Sequence, residues 1–201
     1  MPAPVVLAID ADAPHPEDWA RAARQAGHEV LATVPLKPSP PDDLGPAALR
    51  PAADATQTMR QLATDLGRFT GYVGVLTVGG AASGEVVELL RPVATALQDR
   101  GLLLADATVA GNGGHLMIRA APDDLQRRAI DVVIDPDASA AAMMDQLDGL
   151  LSLASQRSVA VALGRPTPLI LLQVRSFLAR LDEARYVVAP VSAVTATGNG
   201  P

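Results

Sequence analysis

The chain has 201 residues, 49% of them hydrophobic and 19% charged, enough apolar content for one sizeable packed domain and too much for a disordered chain. Its net charge of -6 offers no basic face for phosphates, so nucleic acid is not an expected partner, and without cysteine there is no thiol catalysis, zinc-thiolate site or disulfide. No stretch reaches the roughly 20 apolar residues of a membrane span, and MPAPVVLAID lacks a signal-peptide pattern, so the chain reads as cytosolic or as an excised soluble domain.

In chain order, VVLAID (5–10) is a continuous apolar run ending in a carboxylate, the pattern of a buried parallel strand. Asp18 is expected to cap a helix over 19–25, Gly27 to end it, and EVLATV (29–34) to form the next strand. KPSPPDDLGP (37–46) is proline-rich and reads as a loop long enough to cover something. A helix is expected over 55–66 and a strand over YVGVLTV (72–78). Residues 85–100 read as a helix interrupted or restarted at Pro92, and LLLAD (102–106) as strand four. A glycine turn, LMIRA (116–120), a short helix near 123–128 and AIDVVID (129–135) follow. The remaining elements are a helix over 139–153, the strand VAVALG (159–164), a helix over 169–181 and a last strand YVVAPVS (186–192). Strands and helices alternating in this way specify an α/β fold with mainly parallel strands. Periodicity leaves open whether they form an open doubly wound sheet or an incomplete barrel; either way, chemistry gathers at strand C-terminal ends.

Gly79 and Gly84 in GVLTVGGAASG have phosphate-loop spacing, but Glu85 stands where the lysine belongs, so the stretch reads as a tight turn. Asp10 and Asp12, with His15, resemble strand-end metal ligands or a base; their other reading is a cap of the following loop. His28 reads as structural, and His115 either reaches the site edge or is solvated. Ser83 lacks a nucleophile elbow, so no triad assembles. Arg165 in LGRPTP can clamp an anion or pair with a strand-end aspartate.

Taken in order, VVLAID, AGHEVLATVPLKP, DLGPAAL, GYVGVLTVGG, LRPVATALQDRGLLLADATVA, AIDVVID, VAVALGRPTP and APVSAV resemble the divergent polysaccharide deacetylases, relatives of the NodB-type carbohydrate esterases, across residues 5–194. The resemblance implies a distorted, incomplete (β/α)7-type barrel acting in the bacterial periplasm or cell envelope as a single domain. It also implies zinc held by one aspartate and two histidines, with a second aspartate as base, hydrolysing N-acetyl groups from sugars. Carried onto this chain, the strand-one Asp-Asp pair becomes Asp10 and Ala11, the Asn-His element becomes Thr77 and Val78, and the Gly-His-Pro element becomes Gly164, Arg165 and Pro166. Asp10 then remains as a vestigial base, with Asp106 and Asp131 in supporting positions and Arg165 expected within ion-pair distance of Asp10 or Asp131.

These departures lead to the expectation of a metal-free, catalytically degenerate member that binds a glycan or an envelope protein. One rival is an active zinc deacetylase whose ligands come from Asp12, His15 or His115. The other is a cytosolic binder of small anions on an open α/β sheet, with Arg165 and the glycine turns gripping the anion.

Overall fold

The computed structural model describes residues 5–36, 55–79, 85–108 and 114–198. The loop read over 37–46, Lys37, Ser83 and most of the second glycine turn lie outside these residues. Contacts cluster into two compact units, one built on Val6–Ala129 with the terminal stretch from Pro190, the other on Ile130–Ala189.

In the first unit the strands are β1 (Leu7–Asp10), β2 (Val30–Leu36), β3 (Gly74–Gly79), β4 (Leu103–Thr108) and β5 (Arg127–Ala129), all paired in parallel in the order β1-β2-β3-β4-β5. Each parallel step needs a crossover, and the sequence supplies α1 (Pro16–Gln25), α2 (Ala55–Leu66), α3 (Glu85–Asp99) and the short α4 (Leu116–Ala120). Among the described strands the order never reverses, so they hold no topological switch point of the kind a doubly wound sheet has. Right-handed crossovers in unbroken sequence lay the helices on one face, as in a barrel. Accordingly Val30, Ala32, Val34 and Leu36 of β2 share one core cluster with Ala20 and Ala23 of α1, Leu62 of α2, Leu90 and Leu97 of α3 and Met117 of α4. Burying one such leucine contributes about 2–3 kcal/mol.

The second unit pairs β6 (Val132–Ile134) with β7 (Ala162–Gly164), again in parallel, and packs α5 (Ala140–Arg157) and α6 (Pro168–Ala179) around Ile134, Met143, Leu147, Ile170 and Phe177. Both helices start on side-chain caps, Ser139 Oγ accepting from Ala142 N at 3.2 Å and Thr167 Oγ1 from Ile170 N at 3.2 Å. Among the described residues, seven strands, all paired in parallel and interleaved with helices, realise the α/β class expected from the sequence and agree with an incomplete NodB-type barrel.

Four local expectations are corrected. Helix α1 begins at Pro16 with His15 as its N-cap, so Asp18 lies inside the first turn and pairs with Arg21 at 3.0 Å. The proline's fixed φ suits a first helical position, which moves the start upstream. Helix α3 runs unbroken through Pro92. The segment near 123–128 is a turn closed by Leu125 N donating to Pro122 O at 3.1 Å, followed directly by β5.

The fourth concerns YVVAPVS, which forms no strand. Its end is a 3-10 turn (Val191–Ala193) within a terminal strap. Ser192 donates from its N–H (3.1 Å) and its hydroxyl to the Glu29 carboxylate before β2, and Ala196 exchanges backbone bonds with Arg127 of β5 (2.9 and 3.2 Å). Glu29 and Arg127 both lie at strand starts, so the strap crosses the N-terminal end of the five-stranded sheet. Pro190 cannot donate to a ladder, which favours this edge-bridging course over a central strand.

Candidate functional site

Because side chains alternate across a strand, the core cluster fixes which face each candidate residue uses. Val75 and Leu104 pack into the helix-side core, so Thr77 and Asp106, two positions on, face the helices as well. Asp10 belongs to the opposite face, since its β1 neighbour Ile9 packs in the helix-side core. The register aligns Asp10 with Thr33, Thr33 with Leu76 and Leu76 with Ala105 on that opposite face. The next row toward the strand C-termini is Pro35, Val78 and Ala107, each half-buried. The expected site residues therefore divide between two faces of one sheet, with Asp10 and Val78 on one and Thr77 and Asp106 on the other.

Asp106 is fully buried and serves the fold. Its Oδ1 accepts from Thr77 Oγ1 (2.8 Å), Thr108 N (2.9 Å) and Thr108 Oγ1 (2.6 Å), and its Oδ2 accepts from Ile118 N at 2.9 Å. Thr108 Oγ1 in turn accepts from Leu116 N at 2.9 Å. The carboxylate and the hydroxyl thus satisfy N–H groups of the first turn of α4 that have no partner within the helix. This network docks α4 on the sheet and gives Thr77 and Asp106 a structural role.

At the end of β1, Asp10 is exposed, and its carboxylate makes no hydrogen bond or ion pair among the described residues. Asp12 is exposed in the following turn and lies near enough to Asp65 of α2 to repel its charge. Burial is the main reason the Asp65 carboxyl titrates above its usual value, Arg68 draws it down, and Asp12 pushes it up further. His15 is exposed and holds a left-handed backbone, φ 54° and ψ 53°. His115 stands half-buried at the start of α4, its Nδ1 without a hydrogen-bond partner among the described residues.

Gly79 ends β3 where the glycine-rich stretch begins. It has φ 138°, and a Cβ there would lie 2.2 Å from the Leu36 carbonyl oxygen. Close approach of β3 to β2 is the physical demand that glycine meets at this position.

In the second unit, Asp131 precedes β6 while Arg165 follows β7. Parallel pairing of Val132 with Ala162 and of Ile134 with Gly164 puts them at opposite ends of the two-stranded sheet. The expected Asp131–Arg165 ion pair is absent for that reason. Asp131 instead accepts from Arg157 Nη1 at 3.3 Å and from Val161 N at 2.9 Å, tying α5 and the lead into β7 to β6. Arg165 is exposed and ion-pairs with no described residue of its own unit; the position one step past the paired register across from it is Asp135.

A zinc site needs three or four converging nitrogen, oxygen or sulfur donors. The neighbours of Asp10 on its own face are a hydroxyl and aliphatic side chains, and among the described residues no three His, Asp or Glu come together in a group fit to hold a metal ion. Among the described residues, the donor set around Asp10, with Asp12, His15 and His115 included, does not fit zinc.

Sequence reading missed Thr33. The signal available was a lone hydroxyl in the otherwise apolar EVLATV, but only the register shows that it stands beside Asp10.

The full span of the chain has counterparts among known proteins. Residues 1–195 match the family described as divergent polysaccharide deacetylase. The uncharacterized protein YibQ of Escherichia coli (strain K12) is 25% identical over 168 residues, which is 84% of this chain and 52% of that protein, so the chain spans about half the length of this relative. The crystal structure of uncharacterized protein ATU2773 from Agrobacterium tumefaciens C58 superposes with a TM-score of 0.81 at 23% identity, covering 96% of this chain and 79% of that one, and so shares the fold. With a family match covering nearly every residue and a fold to accompany it, this chain belongs to the divergent polysaccharide deacetylase family.

Proposed function

We propose that this chain is a catalytically degenerate, metal-free member of its family that binds a glycan or an envelope protein in the bacterial periplasm or cell envelope. The observation that supports this reading is the company of Asp10: its row neighbours are Thr33, Leu76 and Ala105, and the next row is Pro35, Val78 and Ala107. Amide hydrolysis in this fold needs a Lewis acid to polarise the carbonyl and activate water. Aliphatic side chains offer no lone pair to hold one, and a lone carboxylate cannot supply its function. A face with one carboxylate, one hydroxyl and an apolar step still has the chemistry of a binding surface. A few polar groups set orientation and the apolar surface supplies contact.

Zinc titration by calorimetry, paired with a deacetylation assay on N-acetylated sugar oligomers, tests the loss of catalysis. The expected result is no stoichiometric zinc and no acetate release, alongside measurable binding to a panel of envelope glycans. Stoichiometric zinc that disappears in D12A would overturn the reading.

A further inference from the structure

We propose that the outward side of α6 is a self-association surface, through which two copies of this chain pair about a two-fold axis. The inference does not depend on what the five-stranded sheet binds.

The sequence of α6, PLILLQVRSFLA, is apolar nearly all round, a composition that suits a helix covered on every side. One side packs in the core of the second unit through Ile170, Val174, Phe177 and Leu178. On the other, Leu169, Leu171 and Leu172 are exposed, Leu172 by 58%. Leu169, Leu172, Ser176 and Ala179 follow one another at steps of three, four and three, so they line a single stripe, and all four are exposed. The stripe is bulky at its start and small at its end. A second copy running the opposite way sets the leucines against Ser176 and Ala179, large against small, which is the self-complementary fit that a two-fold contact needs.

Charge singles out a copy of this chain as the occupant. Helix α5 carries Asp145 and Asp148 and no cation before Arg157, while α6 carries Arg175 and no carboxylate. Asp148 is taken by Arg180. Asp145 and Arg175 are both exposed, and neither has an ion-pair partner among the described residues. Both helices follow strands of one parallel pair, so they run the same way, and the Asp148–Arg180 contact sets Asp145 and Arg175, each a turn or so earlier, at similar heights. A two-fold axis at that height lays α6 of each copy over α5 of the other and brings Arg175 to Asp145 of the second copy, twice. The same aspartates would repel an anionic lipid surface. A contact made by two helices from each copy lies at the small end of specific interfaces, so the pairing is expected to be reversible.

The test is sedimentation equilibrium of the full chain over a wide range of concentration, on the parent, L172E, R175E, D145R and the R175E/D145R double variant, each checked by circular dichroism. The parent is expected to pass from monomer to dimer mass and to stop there, and L172E to stay monomeric with an unchanged spectrum. R175E and D145R are each expected to weaken pairing about tenfold, because symmetry counts each repulsive contact twice, and the double variant to regain most of that loss. A parent that stays monomeric at every concentration overturns the proposal, whether or not it floats with anionic vesicles. Mass that grows past the dimer, the mark of unspecific stickiness, also sinks it, as does L172E pairing like the parent. A double variant no tighter than the single ones overturns the two-fold arrangement.

Discussion

Thr77 Oγ1 donates to the buried carboxylate of Asp106 over 2.8 Å, and the same carboxylate reaches Ile118 N in α4. Thr77 and Asp106, read from the sequence as site-lining residues, here pin a helix to the sheet. Replacing Asp106 by alanine strands the Thr108 hydroxyl and two backbone N–H groups and leaves Thr77 Oγ1 only the Ala105 carbonyl at 3.4 Å, an expected loss of about 3–5 kcal/mol. T77V removes one donor and is expected to cost about 1 kcal/mol. Urea denaturation, with midpoints compared at constant slope, measures both; equal costs would show that the network is not centred on Asp106.

Gly71 is held by the grip of α1 on the loop before β3. Glu17 accepts from Thr70 N and Arg24 Nη1 donates to Thr70 O, each at 2.9 Å. Gly71 has φ 83°, and a Cβ there would stand 1.2 Å from Arg24 Nη1. G71A therefore combines a left-handed backbone cost of about 1 kcal/mol with displacement of the Arg24 side chain. In a double-mutant cycle, R24A is expected to remove the steric part and leave the backbone part, giving a coupling of about 0.5–1 kcal/mol. Strict additivity of the two substitutions would contradict the clamp.

Asp65 predicts a pH signature. A carboxyl whose folded value is raised contributes stability below its unfolded value of 3.8, and that contribution is lost as pH rises through the raised folded value. Above that window the ionised, buried group costs stability. D65N is expected to match the parent in acid and to exceed it at neutral pH. Thermal midpoints taken across the acid-to-neutral range decide it, and a D65N protein weaker than the parent at neutral pH would mean that the Arg68 pairing outweighs burial.

The strap should be separable from the sheet it crosses. Cutting the chain after Ala189 removes the bonds of Ser192 to Glu29 and of Ala196 to Arg127. Hydrogen exchange is expected to quicken at Arg127, whose N–H donates to Ala196 O at 2.9 Å, with β3 protected as before. Uniform loss of protection through β2–β4 would instead make the strap part of the core's cooperative unit.

Proline within α3 offers the reverse kind of test. Pro92 has no N–H, so the Glu88 carbonyl lacks its helical partner, a defect of about 3 kcal/mol in a regular helix. P92A is expected to raise stability by about 1–3 kcal/mol, read from the denaturation midpoint.

How far the sequence could be read follows from the range of each interaction. Helix α2 and strands β1 to β4 were legible to within a few residues, because hydrophobic periodicity and glycine or proline stops act over one or two turns of chain. The departures came where a distant partner decided the outcome. YVVAPVS has strand composition, yet Glu29 and Arg127 draw its end across the sheet, and nothing local distinguishes the two courses. At the expected site, Thr77, Val78 and Arg165 were legible as residue types. Which faces these side chains use was not, since a strand's alternation says which residues share a face but not which face meets the helices. Packing of Val75 and Leu104 against α3 and α4 turned Asp106 inward to the helix side, and the parallel register set Asp131 and Arg165 at opposite ends. By itself the sequence determined the α/β class and the family. Only the tertiary structure decided that Thr33 stands beside Asp10, because strand register is settled by core packing between segments more than twenty residues apart in the chain.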